Sequence, residues 1–328
     1  MKKNNFKRRE FLQQTSLSAL GILMTGRLSA FSVNPGMDYP VLPQNEPIID
    51  IHNHTNYGGR NDIQLLAHQR AMGITTTILQ PAGKPVEYGS TYYGVGNGLQ
   101  AKCTGNEACY KFAQDHPGEF LFGANEVPDL PGAITEIEKY LKLGAVVIGE
   151  CKFGVECDSK EMQEIYALAR EYNVPILMHW LYNMYNRGFE RFYKMLEKFP
   201  QVNFIGHSQT WWASVDKNFV DQNVMYPKEK KVTPGGLTDR LLSDYPNIYG
   251  DVSAPSGLNF FLRDEEHARF FLEKHQNKLV FGSDCPDAFG AGDGCTGSKI
   301  IAAIRRVSPS KDIERKLLYG NARKLFRL

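Results

Sequence analysis

Two histidines two positions apart, His52 and His54, end an isoleucine-rich apolar run that begins at Ile48. Such a run predicts a buried strand, in which alternate side chains share a face, so we expect Asp50, His52 and His54 to point the same way. Two imidazoles with this spacing at a strand end can bind one divalent cation. An isolated His-x-His is equally typical of an ordinary strand-to-loop junction, so the rest of the chain has to decide.

Four later apolar runs also end in side chains of types that bind metals. Each run is short and rich in Val, Ile, Leu or Phe, which predicts a buried strand. Their terminal polar residues are Glu150, His179, His207 and Asp284. Packing gives no reason for an ionisable group at each of these ends, because such groups are rarely buried without a partner. We therefore expect these strand ends to meet at a metal site.

Strand-like and helix-like segments alternate along residues 48–328. Strands are predicted at 48–54, 75–80, 120–127, 145–153, 175–181, 202–207, 248–253 and 278–284, and helices at 62–72, 106–116, 133–143, 160–172, 189–199, 237–245, 264–275, 298–307 and 312–326. Eight βα units without a break in composition predict one (β/α)8 TIM barrel, an α/β fold whose active site lies at the carboxyl ends of the strands. A doubly wound open sheet is the alternative, but it would not bring these five strand ends to one point.

Composition and charge describe an ordinary soluble protein with a large core. The chain has 328 residues, of which 42% are hydrophobic and 23% charged, and its formal net charge is +2. Residues 1–30 carry six Lys or Arg and one Glu, so the remainder has a net charge of −3. A mildly acidic body gives no electrostatic reason to expect nucleic acid as a partner.

The first thirty residues predict an export signal. Lys7-Arg8-Arg9-Glu10-Phe11-Leu12 is similar to a twin-arginine signal, and the apolar run at 17–25 that follows is too short to span a bilayer. Cleavage near Ala30 would give a periplasmic protein without a stable transmembrane segment. A retained membrane tether and a charged disordered N-terminus are the alternatives. Residues 31–47 are predicted to be an irregular lead-in to the barrel at 48–328.

All six cysteines follow the predicted signal, and none forms a Cys-x-x-Cys pair, so a structural zinc cluster is not expected. In an oxidising compartment Cys103 could pair with Cys109, or Cys285 with Cys295. Buried free thiols are the equal alternative.

Together these motifs resemble the amidohydrolase superfamily, and within it the family-2, metal-dependent (β/α)8 enzymes. The matching segments are Asp50-Ile51-His52-Asn53-His54, His179, Gly206-His207-Ser208, Phe281-Gly282-Ser283-Asp284-Cys285-Pro286 and Gly320-Asn321-Ala322-Arg323-Lys324-Leu325-Phe326. The resemblance covers nearly all of residues 48–328. It implies one or two divalent ions as cofactor, with Zn expected and Mn as the alternative.

The resemblance and the ligand chemistry agree on roles for the strand-end residues. Neutral imidazoles and a carboxylate suit zinc, so His52, His54 and His179 would bind the metal. Asp284 would contact the metal and accept a proton from the bound water. His207 would either bind a second metal or polarise the substrate.

Glu150 leaves the number of metal ions open. It resembles the fourth-strand glutamate that bridges two metals in deoxyribonuclease-like members of the superfamily. Lys152 lies two residues on, on the same predicted face, and is the alternative as the carboxylated lysine of other branches. Many family-2 decarboxylases use one metal and no fourth-strand ligand, in which case Glu150 would support the ligands or bind substrate.

Long loops at 82–105 and 208–234 are expected to shape the substrate pocket. Trp211 and Trp212 offer aromatic faces for a sugar or aromatic ring, with packing in a hydrophobic lid as the alternative. Arg263 could pair with a substrate carboxylate, although an arginine there is more often a solvated residue at a helix start. Further candidates are Tyr88, Tyr92 and Tyr93.

These observations predict an exported metal-dependent hydrolase. Metal-activated water would attack an amide, lactone or ester carbon of a small molecule, of which sugar derivatives are one class. A metal-dependent decarboxylase of an aromatic or muconate-type acid is the second hypothesis, and a phosphoester hydrolase is the third. An exported binding protein without catalysis is disfavoured, because all the strand-end ligands are present. The sequence leaves homo-oligomerisation open.

Overall fold

Eight short parallel strands, each followed by at least one helix, organise residues 46–86, 97–99 and 102–328, which are the part described by the computed structural model. The strands are β1 (Ile49–Asn53), β2 (Thr76–Leu79), β3 (Phe120–Phe122), β4 (Ile148–Cys151), β5 (Ile176–His179), β6 (Phe204–His207), β7 (Ile248–Asp251) and β8 (Leu279–Val280). Each lies within its predicted segment and is shorter than it. The predicted export signal and the candidates Tyr88, Tyr92 and Tyr93 lie outside the described residues.

Helices follow the strands at nearly the predicted positions. They are α1 (Asp62–Ala71), α2 (Asn106–Asp115), α3 (Ala133–Lys142), α4 (Lys160–Tyr172), α5 (Tyr193–Lys198), α6 (Gln209–Ala213), α7 (Leu237–Asp244), α8 (Ala254–Arg263), α9 (Glu265–His275), α10 (Thr296–Val307), α11 (Lys311–Arg315) and α12 (Asn321–Phe326). Two of them, α6 and α8, were not predicted. In α8, Pro255 lies in the first turn, where it is tolerated, and Phe260 and Phe261 are buried.

The strands close into a barrel. β1, β2 and β3 pair in one parallel sheet, and β4 to β8 pair in order in another. A parallel bridge between Ala124 and Ile148 joins the two. At the other seam, Ile51 N donates to Phe281 O at 3.1 Å and Asp284 N donates to His52 O at 2.7 Å. The (β/α)8 prediction is confirmed.

Aliphatic side chains from the strands form a compact interior cluster, to which the last helix adds three residues. The members are Ile49, Ile51, Ile78, Val147, Leu177, Ile205, Val280, Ala322, Leu325 and Phe326. A larger apolar cluster lies between the strands and the surrounding helices. Polar side chains are therefore left to the strand ends.

The predicted grouping of Asp50 with the two histidines is wrong. Asp50 accepts hydrogen bonds from Gln69 Nε2 on α1 at 2.7 Å and from the backbone N–H of Ser283 at 2.8 Å. The pairing of β1 with β2 shifts register between Asp50 and Asn53, so simple alternation does not continue through this stretch. Asp50 supports the segment before Asp284 instead.

All six cysteines are free and buried, so the free-thiol alternative is the one found. Within the described ranges, no helix combines the length and the apolar character needed to cross a membrane.

Candidate metal centre

His52, on β1, and His54, directly after it, are buried side by side at the carboxyl end of the strand, with their Nε2 atoms 3.2 Å apart. His52 Nδ1 is 2.7 Å from Asp251 Oδ2, and His54 Nδ1 is 2.6 Å from the carbonyl oxygen of Gln80. A carbonyl and a carboxylate can only accept, so each Nδ1 carries the hydrogen and each Nε2 keeps a lone pair. Two lone pairs at this separation repel each other unless a cation or a proton lies between them.

Asp284 and His207 bring further donor atoms to the same place. Asp284 Oδ1 is 3.4 Å from His54 Nε2, and Asp284 Oδ2 is 3.5 Å from His207 Nε2. Within the described part of the chain, Asp284 Oδ1 and His207 Nε2 are buried and have no hydrogen-bond partner. Buried polar atoms without partners are rare and unfavourable. Imidazole and carboxylate are ligands of zinc and similar ions, so the residues present fit a divalent ion.

Glu150 lies between two sets of imidazoles. Its Oε2 is 3.4 Å from His52 Nε2 and 3.5 Å from His54 Nε2. Its Oε1 is hydrogen-bonded to His179 Nδ1 and lies 3.7 Å from His207 Nε2. One carboxylate thus presents a different oxygen to each pair of histidines, which is the arrangement expected of a group shared by two cations.

Among the described residues, no hydrogen bond or ring contact joins His179 to His52 or His54. Its Nδ1 faces Glu150, and its Nε2 is 2.8 Å from Ser208 Oγ. Burial and the positive charge of Lys152 lower the pKa of His179 to about 3, so the imidazole is neutral and able to act as a ligand. Its role as a metal ligand stays a prediction, and Nδ1 is the atom that would serve.

The cluster attracts positive charge. Burial lowers the pKa of His52, but the negative charges of Asp284 and Glu150 outweigh burial and hold this pKa well above its usual value. Burial raises the pKa of Glu150, but His179 and His52 hold it well below its usual value. A protonated His52 or a metal ion can supply the compensating charge, and the ion also satisfies the lone pairs.

Strained backbone positions the polar groups that follow the last three strands. Ser208, Ala254 and Asp284 have φ angles of 86°, 62° and 41°, in the left-handed region that favours glycine. Each such residue costs about 1–3 kcal/mol and is retained where surrounding contacts determine the conformation. Asp284 is held through its N–H by His52 O, which turns the carboxylate towards the histidines.

A family model described as amidohydrolase matches residues 49–328. The chain belongs to the amidohydrolase family. Members of this family are metal-dependent enzymes that include hydrolases and decarboxylases. The sequence resemblance is thereby confirmed at the level of the family, over the whole described barrel.

Several solved structures share the fold of this amidohydrolase. A probable 2-pyrone-4,6-dicarboxylic acid hydrolase from Acinetobacter baumannii is 15% identical, covering 86% of this chain and 99% of its own, with a TM-score of 0.54. The 2,6-dihydroxybenzoate decarboxylase from Rhizobium is 14% identical, covering 86% of this chain and 99% of its own, with a TM-score of 0.54. The 4-oxalomesaconate hydratase from Rhodopseudomonas palustris is 17% identical, covering 85% of this chain and 97% of its own, with a TM-score of 0.54. At these identities the likeness shows the fold alone. No curated protein matches the chain.

Asp251 at the end of β7 supports two of the candidate ligands in this amidohydrolase and was missed in the sequence. Its Oδ2 is 2.7 Å from His52 Nδ1 and 3.3 Å from His207 Nδ1. Ser253 Oγ bonds the same oxygen at 2.7 Å and His207 Nδ1 at 2.9 Å. Ile248-Tyr249-Gly250-Asp251 is also a short run that ends in a side chain able to bind metals, so the pattern that identified the other strand ends identifies Asp251 as well.

We expect Asp251→Asn to weaken zinc binding by about 10- to 100-fold, because an amide cannot orient both imidazoles as the carboxylate does. Zinc titration of metal-free protein against a chromophoric chelator measures the change. Asp239→Asn is the matched control, since Asp239 is also a buried aspartate bonded to a histidine, His275 Nε2 at 2.6 Å, but lies on α7. Equal affinity of Asp251→Asn and wild type would contradict the supporting role.

Arg60 and Tyr57 also contribute to the site. Arg60 Nη1 donates to Cys285 O at 2.8 Å, and Arg60 Nη2 donates to His54 O at 3.1 Å, so one buried guanidinium joins the ends of the first and last strands. The Tyr57 ring lies edge-on to His54 with centroids 4.9 Å apart. Burial and the charge of Asp284 hold the pKa of Tyr57 well above its usual value, so its hydroxyl stays protonated.

Both candidate tryptophans make packing contacts. Trp211 is fully buried, and a Cβ added to Gly206 on β6 would come within 2.2 Å of its ring, so glycine is required there. Trp212 is 3% exposed, and its Nε1 donates to Asp251 O at 2.9 Å. These contacts are those of the packing alternative, and substrate binding by either ring stays a prediction.

The basic candidates Arg263 and Lys152 both contact other side chains. Arg263 is the last residue of α8, and its Nη2 donates to Asp216 Oδ2 at 2.6 Å, so it is not a residue at a helix start. Its binding of a substrate carboxylate stays a prediction. Lys152 Nζ lies 5.6 Å from the ring centroid of Tyr185, whereas Glu150 is the residue of β4 that contacts the histidines.

Proposed function

We propose that this protein is a metal-dependent hydrolase that uses water to cleave an amide, lactone or ester of a small molecule. The observation that carries the proposal is the position of Glu150, whose two oxygens face two pairs of histidines. A shared carboxylate supports a two-ion centre. Two-ion centres of this kind occur in hydrolytic enzymes such as aminopeptidases and phosphatases.

The candidate ligands divide into two sets. His52, His54 and Asp284 would hold one ion with Glu150 Oε2. His179 Nδ1 and His207 Nε2 would hold the other with Glu150 Oε1. When bound there, a divalent ion polarises a carbonyl group and lowers the pKa of water towards neutrality.

Asp284 is the proposed proton acceptor for the attacking water. Burial raises its pKa, but His52, His207 and His54 outweigh burial and hold the pKa well below its usual value, so the carboxylate is ionised at neutral pH. The same group can return the proton to the leaving atom, which is how one carboxylate serves both halves of a hydrolysis. Tyr57 stays protonated beside it and can donate a hydrogen bond to the oxygen that gains negative charge.

Decarboxylation is the second candidate, and Lys152 is the observation in its favour. The Lys152 ammonium lies over the Tyr185 ring, and that ring contacts His179 with centroids 5.6 Å apart. A cation at this edge of the site could bind a substrate carboxylate. Proteins of the same fold include a probable hydrolase and a decarboxylase, so the fold does not choose between the two reactions.

A substrate screen in water enriched in oxygen-18 tests the proposal. Protein reconstituted with zinc or manganese is incubated with lactones, amides, carboxylic esters, phosphoesters and carboxylated aromatic acids, and the products are identified by mass spectrometry. We expect cleavage of a lactone, amide or ester with one solvent oxygen in the product carboxylate. Metal-free protein is the control. Carbon dioxide release from the aromatic acids without cleavage in the other classes would overturn the proposal, and cleavage of phosphoesters alone would replace the substrate class.

A further inference from the structure

A second group of metal-binding side chains lies outside the candidate metal centre. Cys285 follows Asp284, Cys295 precedes α10, and His68 and Met72 lie on and just after α1. The two thiols and the imidazole are fully buried, and Met72 is 1% exposed. Sequence spacing gave no signal for this group, because His68 and Cys295 are separated by 227 positions.

The separations between these atoms match those around a tetrahedral metal ion. With metal–sulfur and metal–nitrogen bonds of about 2.3 and 2.05 Å, two sulfur ligands lie about 3.8 Å apart, and sulfur and nitrogen ligands about 3.5 Å apart. Cys285 Sγ and Cys295 Sγ are 3.9 Å apart, and Cys295 Sγ is 3.6 Å from His68 Nε2. Cys295 Sγ is also 3.6 Å from Met72 Sδ. A disulfide needs about 2.05 Å between its sulfurs, which this arrangement does not approach.

Neighbouring groups hold the potential ligands in orientation. His68 Nδ1 is 3.0 Å from Gln69 Oε1, an acceptor, so Nδ1 carries the hydrogen and Nε2 presents its lone pair to Cys295. The N–H of Ser298 donates to Cys295 Sγ at 3.3 Å, which fixes this sulfur at the N-terminus of α10. Gln69 Nε2 in turn donates to Asp50. Supporting contacts of this kind are typical of metal ligands.

We propose that Cys285, Cys295 and His68 form a buried site for a thiophilic cation, with Met72 as the fourth ligand. Binding replaces the two thiol hydrogens, so two protons leave and two sulfur–metal bonds form. Zn²⁺ and Cu⁺ are the ions that suit cysteine and histidine, and a thioether ligand favours Cu⁺. The bound ion ties α1 and the start of α10 to the residue after Asp284, and it therefore supports the position of Asp284.

Cobalt substitution tests the site without a substrate. Reduced, metal-free wild-type protein is titrated with Co²⁺, and the near-ultraviolet absorption from thiolate-to-cobalt charge transfer is recorded. We expect this absorption to reach the intensity of one thiolate-bound ion per chain and to persist in His54→Ala, which removes a ligand of the candidate metal centre. We expect Cys295→Ser to abolish it. Cys103→Ser, which removes another buried thiol, is the matched control and should keep it.

Measurement of Cu⁺ affinity distinguishes a Cu⁺ site from a Zn²⁺ site. If the Met72 thioether is a ligand, Met72→Leu should bind Cu⁺ at least about tenfold more weakly than wild type, measured anaerobically by competition with a chromophoric chelator. The thiolate-to-cobalt absorption should be unchanged in this variant. Equal Cu⁺ affinity removes Met72 from the proposal. Wild-type protein that lacks the cobalt absorption, or a band that survives Cys295→Ser in folded protein, overturns the site. A mass lower by two hydrogens with Cys285 and Cys295 joined would replace the site with a disulfide.

Discussion

Replacing Asp284 with asparagine is expected to lower kcat by about 10²- to 10⁴-fold, the range found when a general base is removed. The structure places this carboxylate against His54 Nε2 and His207 Nε2, at 3.4 and 3.5 Å. The asparagine amide keeps the size of the side chain but cannot take a proton from water. The measurement is kcat and KM for a substrate identified in the screen, at saturating metal.

The surface variant Asp312→Asn is the control for Asp284→Asn, because the Asp312 side chain is 74% exposed. It should keep wild-type kcat. Since Asp284 is also a candidate ligand, the metal content of Asp284→Asn is measured on the same sample. A kcat within about threefold of wild type, well short of the loss expected for a general base, would remove Asp284 from the chemistry.

Glu150→Gln is expected to reduce the metal content at the candidate metal centre from about two ions per chain to one or fewer, because a neutral amide cannot be shared by two cations as a carboxylate can. Elemental analysis of the Cys285→Ser, Cys295→Ser background counts only these ions. Glu126→Gln is the matched control. Glu126 is another buried glutamate, and its Oε1 accepts from the N–H groups of Lys84 and Val127 at 2.8 and 2.9 Å.

An unchanged metal content in Glu150→Gln would contradict the shared-ligand role of Glu150. One ion per chain in both Glu150→Gln and its parent would exclude Glu150 as a ligand. The proposal of a two-ion hydrolase would then lose its main support, and decarboxylation, with Lys152 binding the substrate carboxylate, would become the leading candidate.

The strand order and the meeting of His52, Glu150, His207 and Asp284 could be predicted because apolar runs mark barrel strands and parallel strands place their carboxyl ends at one edge. Strand lengths were overestimated, since hydrophobic runs continue beyond the residues that pair. β8, for example, is limited to Leu279–Val280 although the run extends to Phe281.

The remaining site residues could not be predicted because their direction depends on tertiary contacts. Asp50 faces Gln69 because of a register shift within the pairing of β1. Trp211 packs against a glycine whose Cβ would clash with it, which can be seen only once β6 and α6 are in place. Asp251, in contrast, follows the short run Ile248-Tyr249-Gly250 and could have been found from the same sequence pattern as the other strand-end residues.

The hydrogen bond from Ser283 to Asp50 joins positions 233 residues apart, so the candidate ligands are brought together only when the two ends of the barrel meet. A ribosome must have released nearly the whole chain before Asp284 can lie beside His52 and His54. A nascent or truncated chain therefore presents only part of the ligand set and binds metal weakly.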